Sequence, residues 1–265
     1  MVKKKITDAV TSDDAQTRRW RQLFAAGRMA YETGEFKQAE SLLARALELA
    51  KEIPDRTFAV NATTIGSAAI LLAEGRSKEA ESRLHNSITS LQGYAEAIHQ
   101  ELLAVAMRFH AQALVDQGDI REAERELKKS VEILSGLDED ASVQLAYSLS
   151  DLCGLYVTQG RISEADKHIN HAMQILCDVV GPEAPAYMRA DMIYKLCLPM
   201  TEDEKLDAAS DGLQVMEYFY GNKHPNVARA VGRYFKVLGE RGDTARLEAA
   251  KQKFVPSKSK SNWRK

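Results

Sequence analysis

Apolar positions three and four apart recur along this chain in paired bursts. Leu23, Phe24, Ala26, Gly27, Ala30 and Tyr31 precede a short polar break, and Leu42, Leu43, Ala46 and Leu47 follow it. Leu149, Leu152, Cys153, Tyr156 and Val157 precede another, and Ile169, Ala172, Met173 and Leu176 follow. That spacing is the period of an amphipathic helix. Almost no alternating apolar and polar run competes with it, so well over half of the residues are expected to be helical.

The breaks share one grammar. Gly34-Glu-Phe-Lys-Gln-Ala39-Glu40, Gly75-Arg-Ser-Lys-Glu-Ala80-Glu81, Gly118-Asp-Ile-Arg-Glu-Ala123-Glu124 and Gly160-Arg-Ile-Ser-Glu-Ala165-Asp166 each read glycine, four residues, alanine, acid. A weaker fifth copy ends in Asp207-Ala208, and the alanines step by 41, 43, 42 and 43 residues. A fixed period of this kind decides the fold class before any local detail does. The glycine supplies the left-handed turn that ends a first helix, helix A. The alanine sits early in a second, helix B, where a small side chain lets the two axes approach. A helix pair hides only part of its apolar surface, so the pairs must stack into one continuous core. Units at 16–53, 56–93, 96–137, 140–181, 184–221 and 224–254 make a single all-α solenoid over 16–254, between a flexible N-terminus, 1–15, and a disordered basic tail, 255–265.

The order small residue (Gly27), aromatic (Tyr31), Gly34, Phe36, Ala39, Leu43, Ala46 resembles the tetratricopeptide repeat. The longer period of about 42 resembles the kinesin-light-chain-type variant, which often carries G-x-x-H-P-x-x-A between units. Gly221-Asn-Lys-His224-Pro225-Asn-Val-Ala228 matches that motif, and Gly181-Pro-Glu-Ala184-Pro185 matches part of it. The resemblance covers residues 18–254 and implies a right-handed superhelix of about six antiparallel pairs, with the A helices lining the concave side.

The fifth unit breaks the pattern. Pro199 cuts its helix A short, and Thr201-Glu-Asp-Glu204 replaces the turn glycine. Thr201 and Glu204 have the spacing of a capping box, which restarts helix B. Two readings stay open for this break: a tolerated degenerate repeat, or a bend that opens a site beside it. The sixth unit has the more charged second helix expected of a terminal cap.

Charge and composition then narrow the function. Thirty-six basic residues against 38 acidic give a net charge of −2, too balanced to draw nucleic acid or an anionic membrane to the whole molecule. Only the C-terminal tail, with Lys258, Lys260, Arg264 and Lys265 beside Trp263, carries a signal of that kind. The basic N-terminus lacks the apolar run of a signal peptide, and no stretch reaches the roughly 18 apolar residues of a membrane span. The chain is therefore expected in the cytoplasm. Cys153, Cys177 and Cys197 form no C-x-x-C pair and read as buried, unreactive thiols. The glycines are solitary helix terminators and make no phosphate loop. His168 and His171, with Glu164, are too few for a metal site. The acids of Glu79 with Glu81 and Glu122 with Glu124 recur on helix B and read as a solvated outer face. No enzyme, metal or cofactor is expected.

What the resemblance implies instead is a non-catalytic scaffold or adaptor that holds an extended or helical peptide segment in its groove. By position, that groove takes Arg21, Phe24, Arg28 and Tyr31 from the first unit, and Ile65 and Leu72 from the second. Arg108, Gln112, Tyr147 and Ser150 follow from the third and fourth, and Arg229 and Arg233 from the last. Arginine and tyrosine beside small residues suit an acidic partner segment. The asparagine ladder of kinesin-light-chain grooves is nearly absent, with Asn61 alone near the start of a helix A. The alternative is a ligand- or peptide-responsive regulator whose output passes through a partner protein. Open solenoid ends also leave room for self-association through Phe219, Tyr220 or the N-terminal helix.

Overall fold

The computed structural model describes residues 15–137, 142–198, 201–221 and 225–254. Expectations about 1–14, Pro199, His224 and the tail from 255 fall outside those residues. Within them stand twelve helices and no strand. They pair as α1 (Ala15–Glu32) with α2 (Phe36–Ala50), α3 (Arg56–Ala73) with α4 (Ser77–Leu91), and α5 (Ala97–Gln117) with α6 (Ile120–Ser135). The series continues with α7 (Ser142–Thr158) and α8 (Ile162–Val179), α9 (Pro185–Cys197) and α10 (Glu202–Tyr220), and α11 (Pro225–Glu240) and α12 (Thr244–Phe254). Six antiparallel pairs stack in chain order as a right-handed solenoid.

Each turn is closed in the same way. At Gly75, with φ of 78°, the Gly75 N–H donates to Leu72 O at 3.1 Å and the Arg76 N–H to Leu71 O at 2.8 Å. Gly118 and Asp119 repeat this on Val115 O and Leu114 O, and Gly160 and Arg161 on Val157 O and Tyr156 O. Two otherwise orphaned carbonyls are satisfied per turn, which needs the left-handed backbone that glycine adopts without strain.

Past each turn the packing repeats too. Ala39, Ala80, Ala123 and Ala165 are fully buried against their first helices. Four residues on, one turn further along the same face, stand Leu43, Leu84, Leu127 and Ile169, all buried. Each such aliphatic side chain contributes about 1.5–3 kcal/mol through burial. Gly27 completes the closest of these approaches, since a Cβ there would lie 2.8 Å from Leu43 Cδ2.

Side-chain bonds join neighbouring units at about one repeat length. Trp20 Nε1 donates to Thr63 Oγ1 at 3.0 Å, Ser77 Oγ to Asp116 Oδ2 at 2.8 Å, and Gln117 Nε2 to Glu81 Oε2 at 2.7 Å. The fifth unit differs. Helix α9 ends at Cys197, and α10 restarts on a capping box: the Thr201 N–H donates to Glu204 Oε2 at 2.7 Å and the Glu204 N–H to Thr201 Oγ1 at 3.3 Å. Among the described residues the buried side chains fall into five clusters along the stack; one runs from Ala104 to Ala190, and the last joins Leu206 and Leu213 to Val231, Leu238 and Phe254.

Replacing Gly27 by valine is expected to cost about 1–3 kcal/mol, because enclosed Leu43 has nowhere to retreat. Alanine at Gly93, where an added Cβ meets nothing within 4 Å, should leave stability unchanged. Urea unfolding of the two variants checks both outcomes.

Candidate functional site

Stacked helix pairs make two faces, and packing decides which one is hollow. Successive first helices touch directly, α1 on α3, α3 on α5, α5 on α7 and α7 on α9. The second helices meet chiefly their own and the following first helix. A stack held closer along its first helices curves toward them, so these form the inner wall and the second helices the outer one. The first helices carry eleven basic and six acidic residues, a positive excess in a chain of net negative charge.

The groove residues expected from the sequence separate into distinct environments. Arg28 is exposed and lies 3.8 Å from Glu32, and Gln112 is exposed on α5. Arg21, Phe24, Tyr31 and Tyr147 are half-buried. Phe24 stacks on Trp20 with ring centres 5.5 Å apart, and Tyr31 meets Phe36 edge-on at 5.8 Å. Three expectations need correction. Ile65 and Leu72 belong to the core, and Ser150, only 1% exposed, donates to Ala146 O at 2.8 Å. None of the three offers a surface to a ligand. Helix α3 touches α1, α2, α4 and α5, so it is apolar nearly all round and its pattern does not reveal which side faces out. Asn61 is likewise buried, donating to Thr57 O and to Ser90 Oγ on α4. The side chains of Arg229, Arg233, Phe219 and Tyr220 lie outside the described ones.

A charged bridge that sequence reading missed runs across the wall. Asp151 on α7 takes a hydrogen bond from Arg108 Nη1 on α5 at 3.2 Å with one oxygen, and one from Arg189 Nη2 on α9 with the other. Arg108, 13% exposed, also packs over Phe109 and Tyr147, with ring centres 4.3 and 5.4 Å from its guanidinium carbon. Burial pushes the Asp151 carboxyl up, but the Arg189 and Arg108 guanidiniums outweigh it and hold it below the usual carboxylate range. One carboxylate thus ties three units. Only the spacing of 43 and 38 residues, close to the repeat, signals it in the sequence.

The outer wall departs from the expected solvated face. Glu124 is bound by Arg161 at 2.6 Å and Lys128 at 2.6 Å, and Arg161 also grips Glu164 at 2.6 Å. Hydrogen bonding from Arg161, against the opposing effect of burial and with help from Lys128, brings the Glu124 carboxyl down to about 2. Glu126, next to this cluster in sequence, is buried with its Oε2 3.7 Å from His110 Nδ1. The cysteines, expected to be buried, divide among three environments. Cys153 is buried, donates to Ala165 O, and is pushed up to about 12 chiefly by burial. Cys177, one position past buried Leu176, turns outward and is exposed. Among the described residues no group of three or more histidines, cysteines and acids could hold a metal, and no helix is long and apolar enough to cross a membrane.

The tetratricopeptide-repeat family profile matches residues 104–129, which cover the latter half of α5, the Gly118 turn and most of α6. That stretch is a tetratricopeptide-type repeat. No curated protein sequence matches it. In fold, this repeat protein is similar to the apo form of RapI, with a TM-score of 0.66 at 12% identity over 94% of this chain and 84% of that one. It is similar to the Rap conjugation gene regulator of plasmid pLS20, solved with the Phr* peptide, with a TM-score of 0.70 at 14% identity over 94% of this chain. The repeat protein spans only 66% of that regulator's length. A putative kinesin light chain from Podosopora anserina, with nearly identical TPR-like repeats, gives 0.51 at 17% identity over 76% of this chain and 96% of that one.

Asparagine at Asp151 leaves two guanidiniums facing a neutral amide. We expect a loss of about 3 kcal/mol in urea unfolding. Because the Asp151 and Glu124 carboxyls are held down in the folded state, the stability they contribute is present above the ordinary carboxylate range and fades as pH falls through their folded values, about 2 for Glu124. Thermal unfolding of the wild type followed from pH 5 to pH 2.5 should show that fade, and the Asp151→Asn variant should lose less over the same range.

Proposed function

We propose that this repeat protein is a non-catalytic interaction scaffold of the cytoplasm, and that its inner wall holds an extended or helical segment of another protein. The observation that carries this reading is the direct stacking of α1, α3, α5, α7 and α9, which joins their free faces into one surface across five units. Such a surface suits a chain segment better than a compact small molecule. The basic excess of the first helices, with exposed Arg28, favours a partner segment rich in acidic side chains. Two Rap proteins of similar fold, each solved with a peptide or signalling factor bound, are consistent with peptide binding on such an array.

The test is affinity capture from the native host with quantitative mass spectrometry, comparing wild type with the Arg28→Glu, Gln112→Glu double variant. Both side chains are exposed, so the variant should unfold at the wild-type temperature while recovering the specific partner at least ~10-fold less well. Equal recovery would remove the inner wall from consideration.

The second reading, a regulator whose curvature shifts when a peptide binds, is favoured by a core divided into separate buried clusters along the stack, which can shift against one another with little loss of burial. Small-angle scattering of the protein with and without the captured partner's peptide should then show a change in radius of gyration, and superimposable profiles would discard it.

A further inference from the structure

Two buried histidines, His99 and His110, stand on α5, the helix that packs on α3, α4, α6 and α7. Both ring nitrogens of His99 are enclosed and make no hydrogen bond among the described residues. Its Nε2 lies 3.7 Å from Oδ1 of Asp55, the cap of α3, and its Nδ1 lies 3.7 Å from Oε2 of Glu96, the cap of α5 itself. His110 repeats the arrangement further along the helix. Its Nδ1 and the Oε2 of Glu126 on α6 are both enclosed and unbonded, again 3.7 Å apart. Such a separation is too long for a hydrogen bond and too short to seat a water in line. A neutral imidazole always carries one N–H, so at His99 either tautomer leaves a buried donor unmet, which is costly.

The surroundings of each ring favour one outcome. Around His99 stand Asp55, Glu96 and the Tyr94 ring, stacked at 4.6 Å with its hydroxyl on Thr57 Oγ1, while Phe58 meets it edge-on at 6.2 Å. His110 faces Glu126 from α6 and, with ring centres 6.2 Å apart, exposed His85 from α4. From α7, Asp151 meets Arg108 instead. Burial of both rings, and His85 beside His110, oppose a second proton there, and the three carboxylates favour it. Closure tips that balance, because a charged ring drawn about 0.8 Å nearer its acid gains a short charge-assisted hydrogen bond. Asp55 and Glu96 are exposed side chains that can swing inward without disturbing the core. Asp55 belongs to the second unit and Glu126 to the second helix of the third, so closure would hold α5 from both sides.

We propose that His99 and His110 form a proton-operated latch between the second and third units. A proton taken up by each ring draws Asp55, Glu96 and Glu126 into charge-assisted bonds and tightens the seam along α5. The stability that the latch contributes is present while the rings are charged and is lost as pH rises and they discharge. The test is thermal unfolding of the full chain at pH 7.5 and pH 5.5, comparing wild type with the His99→Gln, His110→Gln double variant. The gap in Tm between the two proteins should widen by at least ~3 °C at pH 5.5. A gap that is equal at the two pH values, or narrower at pH 5.5, overturns the proposal. A second variant keeps both rings and removes the charge they face, by Asp55→Asn, Glu96→Gln and Glu126→Gln; asparagine still caps α3. Its gap from wild type should widen in the same way, and a gap indifferent to pH there overturns the proposal even if the histidine variant fails to fold. A purely structural role for these side chains would lower Tm by the same amount at both pH values.

Discussion

The whole array depends on how closely two antiparallel helices approach just after each turn. A left-handed glycine reverses the chain, a fully buried alanine lets the axes close, and an aliphatic side chain one turn later fills the seam they leave. Every later contact is built on that wedge. First helices can stack on first helices because each pair is narrow at the turn, and the stack curves because the first helices are the ones in contact. Gly27 shows how tight the fit becomes, since even one added carbon would press on Leu43.

Polar side chains then bind one unit to the next. The Asp151 bridge unites three first helices through one carboxylate, and the Glu124 cluster does similar work between α6 and the start of α8. A chain of near-neutral charge thus separates its charges by face. Basic residues are in excess on the first helices, and the largest acidic excess falls on α10. The same period that orders the core also orders the charge, because residues one repeat apart become neighbours in space. At Gly212, in the fifth unit, the thioether of Met192 takes the place of the aliphatic side chain found at this position in the first four units.

Helix pairing, the solenoid and the restart at Thr201 were legible because they follow from local rules: spacing, turn glycine and capping box all act within a few residues. Side-chain placement was legible only where a helix has one clear apolar stripe, as in α6. On α3, surrounded by four helices, the pattern gives no direction, and Ile65 and Leu72 looked like candidates for a surface from which they are excluded.

By itself the sequence determined that this chain is a stack of paired helices, since a period of about 42 residues leaves its helix pairs no other way to bury their apolar stripes. Only the tertiary structure decided which acids meet which bases. Whether Glu124 is solvated or clamped, and whether Asp151 joins Arg108 to Arg189, depends on superhelical geometry that brings residues about forty positions apart into hydrogen-bond contact, at 2.6 and 3.2 Å.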